Sequence, residues 1–153
     1  MVRAYELYLF FHILATVVWL GSSVGLLTLW LRAVRTGDPL KKLGLAREAE
    51  FFGNRVFAPS GFVVLGFGFA LVEAGGWGYP FWVAFGLAMV AVSNLLGMLV
   101  YNPLGKSIAR LVEEHGPEHP AVQERVRRIF LIGKIELLLL VATVFDMVIK
   151  PFD

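Results

Sequence analysis

Residues 7–31 run 25 positions without a charged side chain. At 1.5 Å rise per residue such a stretch is long enough to cross a bilayer as a helix. Two further charge-poor stretches follow, 56–72 and 74–105. The latter is too long for one span, and Gly75, Gly76, Gly78 and Pro80 punctuate its start as a turn, so its helix is expected to begin near Pro80. A fourth stretch, 129–149, is apolar apart from Lys134, Glu136 and Asp146. Pro59 fits the second span if it falls in the first helical turn. The pattern predicts four spanning helices, over about 5–31, 56–73, 80–103 and 129–149. One tight turn (73–79) and two longer loops, 32–55 and 104–128, join them. Within those loops, 40–52 and 104–114 read as amphipathic helices along the membrane surface.

Charge placement orients this arrangement. Eleven of the 14 basic residues lie in or beside the two long loops: Arg32, Arg35, Lys41, Lys42, Arg47 and Arg55 at the first, Lys106, Arg110, Arg125, Arg127 and Arg128 at the second. Lys134 sits just inside the fourth span, and only Arg3 and Lys150 lie opposite. The positive-inside rule puts both loops in the cytoplasm. The expected fold is therefore all-α, a polytopic four-helix bundle of the cell (inner) membrane with both termini on the outer side. Aromatic rings agree with it: Tyr5, Tyr8, Trp77, Tyr79 and Trp82 fall at the outer interface, Trp30 and Tyr101 at the inner one.

Composition confirms the class. The chain is 58% hydrophobic and 17% charged, against about 25% charged in soluble domains. A net charge of +2 gives no reason to expect nucleic acid as a partner; the expected partner is the lipid bilayer. Zero cysteines exclude disulfides, thiolate metal sites and a cysteine nucleophile. The N-terminal segment lacks a cleavage site of the Ala-x-Ala type and is longer than a signal peptide's apolar region, so it is expected to stay as a span. No phosphate-binding glycine loop, hydrolytic triad or arginine-rich span is present.

The chemistry-bearing residues fall on two helices. His12 is the only ionisable group in the first apolar stretch, and such a group marks a candidate site. Tyr5, Tyr8, Thr16, Trp19, Ser23 and Trp30 lie within about 40° of it on a helical wheel. Gly21 and Gly25 form a Gly-x-x-x-Gly pair on another face, suited to close packing against another helix or a second copy of the chain. In the fourth span Glu136, Leu140, Thr143 and Met147 share a face, flanked by Asp146. Arg128, Arg55 or Asn54 are candidate partners for Glu136, and Asp146 with Lys150 suits an i,i+4 pair. Lys134 can snorkel to the interface. Met89 reaches a depth similar to His12, and a His–Met pair can ligate haem iron, although packing is the commoner role of methionine. Residues 113–119 hold two histidines, His115 and His119, and three acids, but Gly116-Pro117 breaks the helix that would align them.

The stretch Phe11-His12-Ile13-Leu14-Ala15-Thr16-Val17-Val18-Trp19-Leu20-Gly21 resembles the first helix of small four-helix membrane proteins, among them the membrane-type protoporphyrinogen oxidases and the copper-resistance-D-like proteins. Arg55-Val56-Phe57-Ala58-Pro59 followed by Gly66-Phe67-Gly68 is similar to their second helix. Arg128-Ile129-Phe130, then Glu136 and Ile149-Lys150-Pro151-Phe152, is similar to the oxidases' last helix. The resemblance implies b-type haem at His12. Residues Phe81-Trp82-Val83-Ala84-Phe85-Gly86-Leu87 keep the third-helix tryptophan without that family's lysine or histidine, which sets the chain nearer a branch without an assigned activity. The expectation is a haem b or redox membrane protein, with His12 as axial metal ligand, Met89 as its counterpart, and Tyr8 and Trp19 packing the macrocycle. The alternatives are an assembly partner without chemistry, homo-oligomeric through Gly21 and Gly25, and a proton or cation transport subunit using His12, Glu136 and Asp146.

Overall fold

A computed structural model describes residues 3–150, and every element within them is helical. Helix α1 covers Ala4–Thr36. Helix α2 (Pro39–Phe52) continues through a π-helical turn (Gly53–Phe57) into α3 (Ala58–Gly75). Helix α4 (Phe81–Leu96) continues through a second such turn (Gly97–Tyr101) into α5 (Asn102–His115), and α6 (Pro120–Ile149) completes the bundle. The chain thus forms four rods. Contacts of α1 with α3, α3 with α4, α4 with α6 and α6 with α1 close them into a ring, the up-down arrangement of a four-helix bundle.

The rods contain 33, 37, 35 and 30 residues, so they measure about 50, 55, 52 and 45 Å. A bilayer's hydrocarbon core is only about 30 Å thick. The bundle therefore outruns it at the end rich in Lys and Arg. Segments 40–52 and 104–114, expected as helices along the membrane surface, are helical but run on into the rods instead of lying as separate surface elements. Three rods, Ala4–Thr36, Pro39–Gly75 and Phe81–His115, are long and apolar enough to cross a membrane. Helix α6 differs by carrying Lys134, Glu136 and Asp146 in its apolar stretch.

Local chemistry explains the turns. Gly37 (φ 71°) ends α1, and the Asp38 carboxylate caps α2 by accepting from the Leu40 and Lys41 amides at 2.9 and 3.4 Å. Gly76 and Gly78 both take positive φ before α4, where Pro80 stands as the N-cap. Gly116 (φ 84°) ends α5, and His119 Nδ1 caps α6 by accepting from the Ala121 amide at 3.3 Å. His115 and His119 rings lie 4.7 Å apart, but His119 is committed to its cap, and no group of three metal-ligating side chains forms among the described residues.

The two π turns have a common cause. A proline inside a helix lacks its amide and clashes with the carbonyl four residues back, here Arg55 for Pro59 and Leu99 for Pro103. Widening the turn moves that carbonyl aside. The amides of Ala58 and Asn102 instead bond the carbonyls of Gly53 and Gly97, five residues back. Pro59 therefore does not open a new helix as expected; it sits inside a 37-residue rod.

Three apolar clusters hold the bundle. At the basic end Trp30, Leu43, Ala46, Ile108, Val122, Val126, Ile129 and Phe130 form the largest, with Trp30 stacked on Phe130 at 4.0 Å and 5°. Trp30 is thus a core residue and not an interfacial one. Ala15, Trp19, Val64 and Val90 pack midway, and Val72, Trp82 and Val83 pack near the termini. Outward, Leu99 (69% exposed), Leu138 (71%) and Val148 (72%) belong to an apolar surface that water would not tolerate at this extent.

Candidate intramembrane binding site

Between the basic-end cluster and the middle one lies a cavity of about 490 Å³, walled by all four rods at the level of both π turns. That volume falls within the roughly 300–1,000 Å³ of small-molecule sites. Small residues leave it open: Ala46, Ala49, Gly53, Gly97, Gly105 and Gly133 all face it. The two turns match in sequence as well. Gly53-Asn54-Arg55-Val56-Phe57-Ala58-Pro59 and Gly97-Met98-Leu99-Val100-Tyr101-Asn102-Pro103 share Gly-x-x-Val-aromatic-x-Pro, with Phe57 and Tyr101 both on the wall.

Glu136 is the deepest charged group of this wall. The Tyr101 hydroxyl donates to its Oε2 at 2.8 Å. Gly133, one turn before Glu136 on α6, lies beside the Tyr101 hydroxyl, which a Cβ there would meet at an ordinary contact distance of 3.7 Å. Tyr101, Glu136 and the wide turn thus form one unit. Neither Arg128, Arg55 nor Asn54 takes the partner's role expected of them, and no ion pair among the described residues involves Glu136. Tyr101 likewise turns inward.

Ser93 and Asn94 lie on the same wall. Asn94 Nδ2 donates to the Val90 carbonyl at 2.9 Å, and its amide rests against Gly61, where a Cβ would come within 3.2 Å of Oδ1. Ser93 is 6% exposed and lies beside the Glu136 carboxylate, yet its hydroxyl makes no hydrogen bond of good geometry among the described residues. Arg47, Glu50 and Lys134 contribute charge elsewhere on the wall, Lys134 lining the cavity where a purely interfacial position was expected. The carboxyl group of Glu50 reaches α5, since a Cβ at Gly105 would stand 3.4 Å from it.

The expected His12 site has a different geometry. His12 Nδ1 lies 2.9 Å from the Val64 carbonyl, which can only accept, so a neutral ring keeps its proton there and presents Nε2 as a lone pair. Thr16 spends its hydroxyl on the His12 carbonyl at 2.8 Å, and Tyr8 packs on Phe67 with ring centroids 6.0 Å apart. The hollow beside His12 holds about 60 Å³, and Trp82 and Met147 line it while Met89 does not. That hollow is far smaller than a porphyrin, and Met89 does not share it with His12. Met89 is a buried packing residue. Trp19 belongs to the middle cluster and to the large cavity.

Nearer the termini, Asp146 is 5% exposed and makes no ion pair with Lys150. Lys150 instead places its ammonium 4.3 Å from the Trp82 ring centroid and 5.5 Å from that of Trp77. Pro151 and Phe152, quoted in the last-helix resemblance, lie outside the described residues. Gly21 and Gly25 are exposed, and a Cβ on either would meet nothing of this chain within 4 Å.

Long apolar rods and an apolar outer surface define a helical integral membrane protein. The chain belongs to the DUF2269 family, described as predicted integral membrane protein, which it matches over residues 6–151. No curated protein and no solved structure matches it. Nothing in these matches supports a relation to the protoporphyrinogen oxidases or the copper-resistance-D-like proteins.

Proposed function

We propose that this protein binds a small amphipathic molecule within the membrane, in the cavity at the two π turns. The observation that carries the reading is a cavity of about 490 Å³ with a carboxylate on its wall that no basic side chain neutralises. Mostly apolar walls with a few convergent polar groups are the ordinary make-up of a ligand site. An intramembrane ionisable residue with no structural ion pair is a functional candidate on the same grounds. Glu136 and Tyr101 receive the polar end of the ligand, and Trp19, Phe57 and Phe62 receive its apolar body. The basic end faces the cytoplasm by the positive-inside rule, so the cavity is a cytoplasmic-half site. Binding and presentation to a partner need no further chemistry from the chain.

Purification in lipid nanodiscs followed by solvent extraction and mass spectrometry tests this. Wild type is expected to retain one small molecule near stoichiometric amount. Gly133→Leu, which projects a side chain into the cavity, should lose it while the protein stays monodisperse. Equal small-molecule content in both proteins would sink the reading.

A further inference from the structure

We infer that the polar end of the ligand is a protonated amine, so that the site selects lipophilic organic cations. This rests on the binding reading above and adds the chemistry that the wall prefers. Hydrogen-bond capacity around Glu136 is unbalanced. The Tyr101 hydroxyl is spent on Glu136, and one of the two Asn94 amide hydrogens is spent on the Val90 carbonyl. Beside Glu136 itself the remaining capacity is mainly for accepting, from the carboxyl group's other lone pairs, Asn94 Oδ1 and the Ser93 hydroxyl oxygen, while Arg47, Lys134, Asn54 and Asn102 bring donors to the same cavity lining.

Ser93 supplies the independent observation. Thr16, Ser23, Thr28 and Thr143 each satisfy their hydroxyl on the carbonyl four residues back, at 2.8 to 3.0 Å. Ser93 does not, although it is more than nine-tenths buried and lines the cavity. Forgoing this default bond leaves the Ser93 hydroxyl turned toward the Glu136 carboxyl group, where it can also meet a ligand's polar end.

An ammonium fits the arrangement on three counts. It carries three donors and no acceptor, matching the acceptors grouped beside Glu136. It supplies the counter-charge that Glu136 lacks, and a buried carboxylate is costly until paired. Its substituents meet Trp19 and Phe57, whose ring faces attract cations. An anionic head would face Glu136 directly. Arg47 and Lys134 also line the cavity, but neither pairs with Glu136, so they do not supply that counter-charge.

The test uses one scaffold with three ends: naphthylethylamine, naphthylacetic acid and naphthylethanol, titrated against the full chain in nanodiscs and followed by tryptophan fluorescence and equilibrium dialysis. The amine should bind wild type at least about tenfold more tightly than either analogue, as charge-assisted bonds predict. Glu136→Gln should bring the amine level with the alcohol, and Ser93→Ala should weaken the amine alone. Gly133→Leu and Ala109→Phe should abolish binding of all three. If the three probes bind wild type equally, or Glu136→Gln leaves the amine's advantage intact, the cation inference fails, while loss of binding in the cavity-filling variants still upholds the cavity reading. If binding survives both cavity-filling variants in monodisperse protein, both inferences fall together.

Discussion

Replacing Tyr101 by Phe removes one oxygen and nothing else, so it isolates the bond that organises the cavity wall. That oxygen donates to Glu136 at 2.8 Å, the ordinary length of a strong O–H···O bond. Leaving a buried acceptor unpaired costs about 1–3 kcal/mol. Measured helix–helix bonds in membranes average only about 0.6 kcal/mol, because lost partners are partly replaced. The cavity beside Glu136 is polar and wide enough to admit such a replacement, which pulls the value downward. The expected loss for Tyr101→Phe is about 1–2 kcal/mol. A double-mutant cycle with Glu136→Leu, read by equilibrium unfolding in mixed micelles, apportions it. Coupling of about 1 kcal/mol between the two positions is expected. Additivity within about 0.3 kcal/mol would refute the claim that they act as one unit.

Other perturbations have distinct signatures. Trp30→Ala removes the ring stacked on Phe130 in the basic-end core and should cost about 3–5 kcal/mol in the same unfolding measurement; a loss below about 1 kcal/mol would show that this end is not a packed core. Gly61→Ala forces its methyl against the Asn94 amide and should destabilise by about 1–3 kcal/mol. Gly21→Ala, with open space around it, should be neutral or stabilising by up to about 1 kcal/mol. Reversal of that order would contradict the packing of α3 on α4. Asp38→Ala should cost about 1 kcal/mol through its lost cap, whereas Lys41→Ala, which breaks only the exposed ion pair with Asp38, should cost under about 0.5 kcal/mol. Haem added to purified protein should give the same absorption spectrum in wild type and His12→Ala; a Soret band lost with His12 would restore the haem expectation.

The spans were legible because long uncharged stretches and the Gly76, Gly78 and Pro80 turn are local signals, read one segment at a time. The extensions beyond the membrane were less so. The charges of Arg47, Lys106 and Arg110 suggested helices lying along the membrane surface, while the residues that fold them into the bundle, Leu43, Ala46, Ile108, Val122 and Val126, reveal a shared core only once α2, α5 and α6 meet. His12 stands out in the sequence as an ionisable group in an apolar stretch, but the carbonyl it bonds belongs to Val64, 52 residues away. The large cavity had no local signature at all. A void is the property of four rods together, contributed by positions as distant as Trp19 and Leu137. One signal did exist: Gly-x-x-Val-aromatic-x-Pro occurs at Gly53 and again at Gly97, and each copy places a proline where an α-helix cannot hold it.

Each wide turn also sets a rotational phase. One residue advances an α-helix by 100°, so the extra residue at Gly53–Phe57 turns everything before it by that angle relative to everything after it. The same rod can then address different neighbours at its two ends, α1, α5 and α6 through α2, but α1 and α4 through α3. A single-residue deletion in this turn would swing Leu43 and Ala46 about 100° away from Val122 and Val126. The register between the two halves of the protein is thus stored in one surplus residue, not in the packing of either half.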